Sequence, residues 1–201
     1  MKTLSRPGKG IVLLLVLVIL LTGCGKGSGG SVKDAEEALA RSGVRDVFFS
    51  KPDDPNYLKI DLESSYIYDE DNHYHYPELK IQSPVYTMVF DDYGGQRFSS
   101  AKAEGASFKD EDAMTSGTLI FMVSRHRNTK VYHNKKEETV VGYEEFLRVY
   151  LYDLSSKKFF ADKTFYGEEL KDSYDDFPSS KNSFINKADM DEVNAWIDTY
   201  R

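Results

Sequence analysis

The chain has only one cysteine among its 201 residues, and that residue, Cys24, lies between two glycines near the N-terminus. No disulfide can form within such a chain, so the residues that follow must be held together by a hydrophobic core. The stretch from Ser31 onward, roughly 170 residues, is long enough for one core. Aromatic residues make up 13% of the chain, which is typical of a folded domain and not of a disordered one.

The segment before Cys24 combines a positive start with an apolar run. Lys2, Arg6 and Lys9 precede eleven uninterrupted apolar residues, 11–21. As a helix this run would rise about 16 Å, whereas the hydrocarbon core of a membrane is about 30 Å thick. The run is therefore too short to span a membrane comfortably, and its length is typical of the core of a signal peptide.

The tetrapeptide Leu21-Thr22-Gly23-Cys24 resembles the lipobox of bacterial lipoprotein precursors. This resemblance implies that residues 1–23 are a removed signal peptide and that the Cys24 thiol receives a diacylglyceryl group. Residues 24–30 are then a lipidated cysteine and a flexible glycine-rich tether. We expect residues 31–201 to form a single domain, anchored by palmitate-type acyl chains to the extracytoplasmic face of the cell membrane.

The charge balance excludes one class of partner. Removal of residues 1–23 leaves 23 Lys and Arg against 33 Asp and Glu, a formal net charge of −10. General nucleic-acid binding requires a basic surface, so no nucleic-acid partner is expected. The same balance predicts that the domain is not held flat on anionic lipid by its overall charge.

Helical patterns are found at both ends of the proposed domain. Near the start, Ser31 is a candidate N-cap with Asp34 three residues later, and Gly43 is a candidate stop. Near the end, apolar residues recur at helical spacing behind a candidate cap at Asn186. That C-terminal stripe consists of Met190, Val193, Trp196, Ile197 and Tyr200.

Between these helices the sequence predicts strands. Seven segments rich in aromatic and branched residues are separated by turn residues; they begin at residues 46, 57, 65, 85, 118, 145 and 157. Residues 119–123 are apolar throughout, which indicates a central strand covered on both faces. Residues 147–152 alternate, which indicates a strand covered on one face. We therefore predict an α+β fold, a largely antiparallel sheet with N-terminal and C-terminal helices packed on it.

His73 and His75 are spaced so that an extended strand would place both rings on one side. With the neighbouring acidic residues they suggest a zinc or copper site, but His126 and His133 lie far along the chain. The alternative is an ordinary hairpin turn. The sequence favours the turn, so neither a metal nor a cofactor is predicted.

One basic island stands out in this acidic chain, immediately after the most apolar strand. One interpretation is an exposed loop that meets an anionic partner, such as a protein, a wall polymer or lipid headgroups. The alternative, which the neighbouring Glu137 and Glu138 favour, is a solvated turn. The candidate binding residues are Arg125, Arg127, Lys130, Tyr132, Lys135 and Lys136.

Recognisable catalytic motifs are missing from the sequence, and no thiol remains after Cys24 for nucleophilic chemistry. The sequence favours a non-catalytic binding or envelope-assembly domain. The alternative is a hydrolase of envelope polymers that uses acidic residues. Adjacent acids occur at 91–92, 144–145 and 175–176, but a glycosidase needs two carboxylates that face each other across a sugar, and adjacency in sequence does not provide that.

Overall fold

The computed structural model describes residues 30–51, 54–58, 74, 76–92, 97–133, 139–172 and 183–201. In the first part of this chain the elements are α1 Val32–Arg41, α2 Arg45–Phe48, β1 Phe49–Lys51, β2 Asp54–Leu58, β3 Val85–Asp91 and β4 Arg97–Glu104. In the second part they are β5 Thr118–His133, β6 Thr139–Asp153, β7 Lys158–Tyr166, β8 Ser183–Asn186 and α3 Met190–Asp198.

The main sheet has the strand order β4-β3-β5-β6-β7, with β8 also paired to β6, and β1 and β2 form a separate pair. The predicted α+β class is confirmed. The sheet is mixed, however, and not largely antiparallel: β3–β5 and β6–β8 are parallel pairs. The parallel β3–β5 pair arises because β4 returns beside β3, and the connection at 105–117 then starts β5 next to the start of β3. The Thr118 amide donates to the Pro84 carbonyl at that point.

Helix α1 begins as the sequence predicts. The Asp34 amide donates to Ser31 Oγ at 3.2 Å, and the Ser31 amide donates to Asp34 Oδ2 at 2.6 Å, which completes a capping box. The hydrogen bonds that the Ser31 amide and hydroxyl donate to the Asp34 carboxylate lower the pKa of Asp34. Gly43, just beyond the helix, has a φ of +72°, a conformation that glycine adopts without strain.

The two faces of the sheet are covered by different helices. Along β5, Leu119, Phe121 and Val123 point into a core that includes Ala35, Ala38 and Leu39 of α1. Ile120 and Met122, on the opposite face, lie in a second core with Val193 and Ile197 of α3. The prediction that β5 is covered on both faces is confirmed. Strand β6 is also buried on both faces, so the prediction that only one of its faces is covered is wrong; Tyr150 and Tyr152 lie in the first core.

The apolar stripe of α3 faces the second core, where Val193, Ile197 and Tyr200 are buried. Trp196 is half-buried, with its ring centroid 5.8 Å from Phe165. The N-cap is Asp189, whose carboxylate accepts from the Asp191 amide, and not Asn186, which ends β8. The side chain of Asn186 is suitable for a helix cap, but its backbone pairs with Glu144 of β6, and this pairing holds Asn186 in a strand.

Several other elements differ from the sequence prediction. The segment that begins at Asp46 forms a helical turn, α2, before the short strand β1. Strands β4 and β8 were not predicted, because only some of their residues are apolar. Their burial does not alternate regularly along the strand. The predicted strand at 65–69 lies outside the described residues, as do Cys24, the signal segment, His73 and His75.

Candidate functional site

Strands β5 and β6 extend well beyond their neighbours. Strand β3 pairs only with residues 118–124 of β5, and β7 pairs with residues 146–153 of β6. At about 3.3 Å per residue, the 16 residues of β5 span about 50 Å. We call residues 125–133 and 139–145 the arm; strand β8 runs beside it along residues 141–144.

One side of the arm is covered by the segment that follows β7. Tyr132 packs against Phe184 with 5.8 Å between ring centroids, and its hydroxyl donates to the Lys171 carbonyl at 2.7 Å. Gly142 lies under these rings: a Cβ there would be 2.7 Å from Phe184 Cζ and 2.9 Å from Tyr132 Cε2. Only glycine fits without displacing a ring, so this packing fixes the register of the arm.

The other side of the arm carries half-buried and exposed side chains. Val131 lies opposite Val141, and with 58% of its surface exposed it is among the most exposed large apolar residues that the structure describes. We call this surface the open face; it consists of Thr129, Val131, His133, Thr139, Val141, Tyr143, Ser183 and Ile185. None of these eight is Asp, Glu, Lys or Arg, whereas such residues make up 29% of the chain.

The basic island lies largely on β5 and not on a loop, so the prediction of a loop or turn is wrong for Arg125, Arg127, Lys130 and Tyr132. A loop was predicted because small and charged residues follow the apolar run of β5. The strand continues because its residues pair with β6 on both sides of a bulge at Arg127. Lys135 and Lys136, and the side chain of Arg127, lie outside the described residues.

The described cations of the island have acidic neighbours within the chain. Arg125 forms an ion pair with Asp92. Lys130 Nζ lies 2.7 Å from Asp172 Oδ1, and this hydrogen bond raises the pKa of Lys130 and lowers that of Asp172. Because the cations already contact carboxylates, binding of an anionic partner would have to compete with these pairs. The role of the island in partner binding stays a prediction.

At the base of the arm the buried residue Glu145 joins three segments. Ser124 Oγ donates to Glu145 Oε1 at 2.5 Å, and the Ala188 amide donates to Glu145 Oε2 at 2.9 Å. The Gly167 amide donates to the Glu145 carbonyl at 2.8 Å. We call these four residues the clasp. It holds the segments after β7 and before α3 against the base of the arm, and the hydrogen bonds offset the cost of burying the carboxylate.

His126 lies next to the clasp, and its ring stacks on Tyr143 with 4.2 Å between centroids. Burial lowers the pKa of His126, and the Glu145 carboxylate acts in the opposite direction with a smaller effect. The imidazole is therefore mostly neutral near pH 7. A neutral, stacked ring is suited to packing at the end of the open face.

A buried ion pair connects β6 and β7. Arg148 pairs with the fully buried Asp162 and donates to Thr164 Oγ1 at 2.7 Å. The Tyr74 amide donates to the same carboxylate at 2.7 Å. These contacts connect neighbouring strands and the segment at Tyr74, so the arrangement is explained by structural pairing.

The acidic pairs named from the sequence do not converge on a cleft where the structure describes them. Glu144 and Glu145 point to opposite sides of β6, since adjacent strand residues alternate. Asp91 accepts from Ser99 Oγ at 3.1 Å, while Asp92 pairs with Arg125. The acids at 175–176 lie outside the described residues.

Three or more metal-ligating side chains do not come together anywhere in the described ranges. Among the helices that the structure describes, none has both the length and the apolar character needed to cross a membrane. Comparison of the chain with protein-family models, curated proteins and solved structures gave no match.

Proposed function

We propose that this chain is a membrane-anchored bacterial lipoprotein whose non-catalytic domain binds a partner outside the cytoplasm through the open face of the arm. The partner is a protein or a wall polymer that supports an envelope assembly. The observation that carries the binding role is the open face itself, an uncharged and partly apolar sheet surface in a highly charged chain.

The anchor rests on the sequence of the first 24 residues. A basic start, a short apolar core and the Leu21–Cys24 tetrapeptide occur in the order required for lipoprotein processing. A diacylglyceryl group carries two acyl chains, and at about 0.8 kcal/mol per buried CH₂ two chains give stable anchoring where one does not. Helix α1 begins at Val32, so only a short tether separates it from Cys24.

The outer end of the arm lies far from Gly30, where the proposed tether would join the domain. A Cβ at Gly30 would lie 3.4 Å from Phe108 Cβ, and Phe108 packs on Tyr86. Tyr86 is in register with Leu119 near the start of β5. Val131 lies 12 residues further along the strand, about 40 Å away at 3.3 Å per residue. The open face is therefore suited to contact a partner beyond the lipid surface.

The order of side chains along the arm also supports a covered open face. Lys130 lies on the covered side of the arm, whereas Val131 points outward and is mostly exposed. In a sheet with one side in water, charged residues normally lie on the side that faces water, and apolar residues lie on the side that packs against the protein. Because the packing at Gly142 fixes the register, a one-residue shift that would bury Val131 is not accessible.

The test is site-specific photocrosslinking in membranes of cells that produce the full chain. A photoreactive phenylalanine analogue replaces Val131 in one variant and Ser155 in a control. Ser155 is exposed in the turn at the opposite end of β6. We expect a discrete adduct from position 131 that is lost when Val141→Glu is added. Equal adducts from both positions, or none from position 131, would contradict the proposed binding face.

A further inference from the structure

We propose that the partner of the open face is a second copy of this chain, with two arms packed face to face about a two-fold axis. This proposal rests on the proposed function in one respect, that the open face is covered when the protein is anchored. It adds the identity of the partner. Detection of a foreign protein or polymer at the open face would contradict it.

Charge is the first reason. Without residues 1–23 each copy has a formal net charge of −10, so two copies repel each other over most of their surfaces. None of the eight residues of the open face is Asp, Glu, Lys or Arg. Two copies can therefore approach through this face without opposing like charges. A strongly charged partner would find no complementary side chain on it.

The arrangement of side chains is the second reason. The central row of the face consists of Val131, Val141 and Ser183 across three strands. Rows of hydroxyl-bearing, aromatic or branched residues lie on either side: Thr129, Tyr143 and Ile185 on one, His133 and Thr139 on the other. A two-fold axis through the central row brings the valines of both copies together, as an isologous interface requires. Two sheets pack in this way about 10 Å apart.

The size of the face determines how strong the contact is. Three strands at about 4.8 Å and five residues at about 3.3 Å give a footprint of about 240 Å² per copy. Stable interfaces bury about 800 Å² on each partner. The dimer is therefore weak in dilute solution. Anchoring both copies to one membrane raises their effective concentration, and association then needs no larger interface.

The test uses the full chain in membranes, produced as a mixture of two differently tagged copies. Cys24 is the only native cysteine and is proposed to be lipidated, so an introduced thiol is a specific probe. Thr129→Cys, Val131→Cys and Val141→Cys are compared with the exposed control Ser155→Cys after oxidation with copper phenanthroline. We expect at least one open-face variant to give several-fold more disulfide-linked dimer carrying both tags than the control. The yield should fall when the membranes are dissolved and diluted in detergent before oxidation.

Two outcomes would overturn the proposal. One is a dimer yield from all three open-face cysteines that is no higher than that from Ser155→Cys, in variants with normal amounts of membrane-bound protein. The other is a set of Val131 photoadducts in which the two tags never occur together, which identifies a foreign partner. The second outcome refutes self-association and leaves the binding role of the open face intact, whereas an absent adduct refutes the binding role itself.

Discussion

Three glycine-to-alanine substitutions make the same chemical change at sites where the added methyl group meets different surroundings. At Gly43 nothing lies within 4 Å of the new Cβ, but φ is +72°. At Gly142 the Cβ meets two ring edges at 2.7 and 2.9 Å, and at Gly167 it would lie 1.8 Å from the Asn186 carbonyl oxygen. We predict that destabilisation increases in the order Gly43→Ala, Gly142→Ala, Gly167→Ala.

The magnitudes follow from these contacts. A left-handed alanine costs about 1–2 kcal/mol, partly offset by the lower entropy of the unfolded chain, so Gly43→Ala should cost about 1 kcal/mol. At Gly142 the rings must move by about 1 Å to restore normal contact, and overpacking of this kind costs about 1–3 kcal/mol. At Gly167 the obstacle is backbone, so the Gly167–Ala188 bridge must open. Glu145 then loses buried hydrogen bonds, for a total of about 3 kcal/mol or more.

The measurement is equilibrium urea unfolding of the Ser31–Arg201 fragment, followed through the fluorescence of Trp196, the only tryptophan. With a denaturant slope of about 2 kcal/mol per molar, the transition should shift by about 0.5 M for Gly43→Ala and by at least about 1.5 M for Gly167→Ala. Equal shifts for Gly43→Ala and Gly167→Ala would refute the reasoning, because they would mean that the segments at Gly167 and Asn186 are not in close contact.

Three further predictions address the anchor, the C-terminal helix and His126. Cys24→Ser should abolish lipidation because serine lacks the thiol, and incorporation of labelled palmitate into this variant would contradict the anchor. Trp196→Ala should cost about 2–3 kcal/mol, less than a fully buried tryptophan, and lower the melting temperature by about 5–10 °C; unchanged melting would mean that the residue is not packed on the sheet. Since the folded-state pKa of His126 lies below its unfolded value near 6.5, stability should fall as the pH drops through 6.5. His126→Gln should remove this part of the pH dependence, and an identical pH profile would show that another group causes it.

The parts of the fold that were predictable from the sequence are those with strong local signals. Ser31 and Asp34 form the predicted capping box because both partners lie within one turn. The turn before β7 forms because the Asp153 carboxylate accepts from the Ser155 and Ser156 amides. The apolar run in β5 required burial on both faces. In each case residues close in sequence determine the structure.

The features that were missed depend on contacts between distant residues. The arm looks like a loop in sequence because Arg125, Asn128 and Lys130 interrupt its apolar pattern. It is a strand because β6 supplies its backbone partners and Tyr132 packs across Gly142. The parallel pairs β3–β5 and β6–β8 depend on where connections cross the sheet, which periodicity does not reveal. The open face was missed for the same reason, since it is assembled from three strands.

The short connection between the long strands β5 and β6 also has a consequence for the order of folding. The two strands of this hairpin are joined through five residues, so their pairing needs little loop-closure entropy and can begin at the turn. The β3–β5 pair, by contrast, must enclose β4 and the connection that follows it, and β8 joins β6 only after the chain has passed through β7. We expect the hairpin to form first and to serve as the template on which β3, β7 and finally β8 and α3 assemble. A newly exported chain would then present its arm before the second core of the domain is closed.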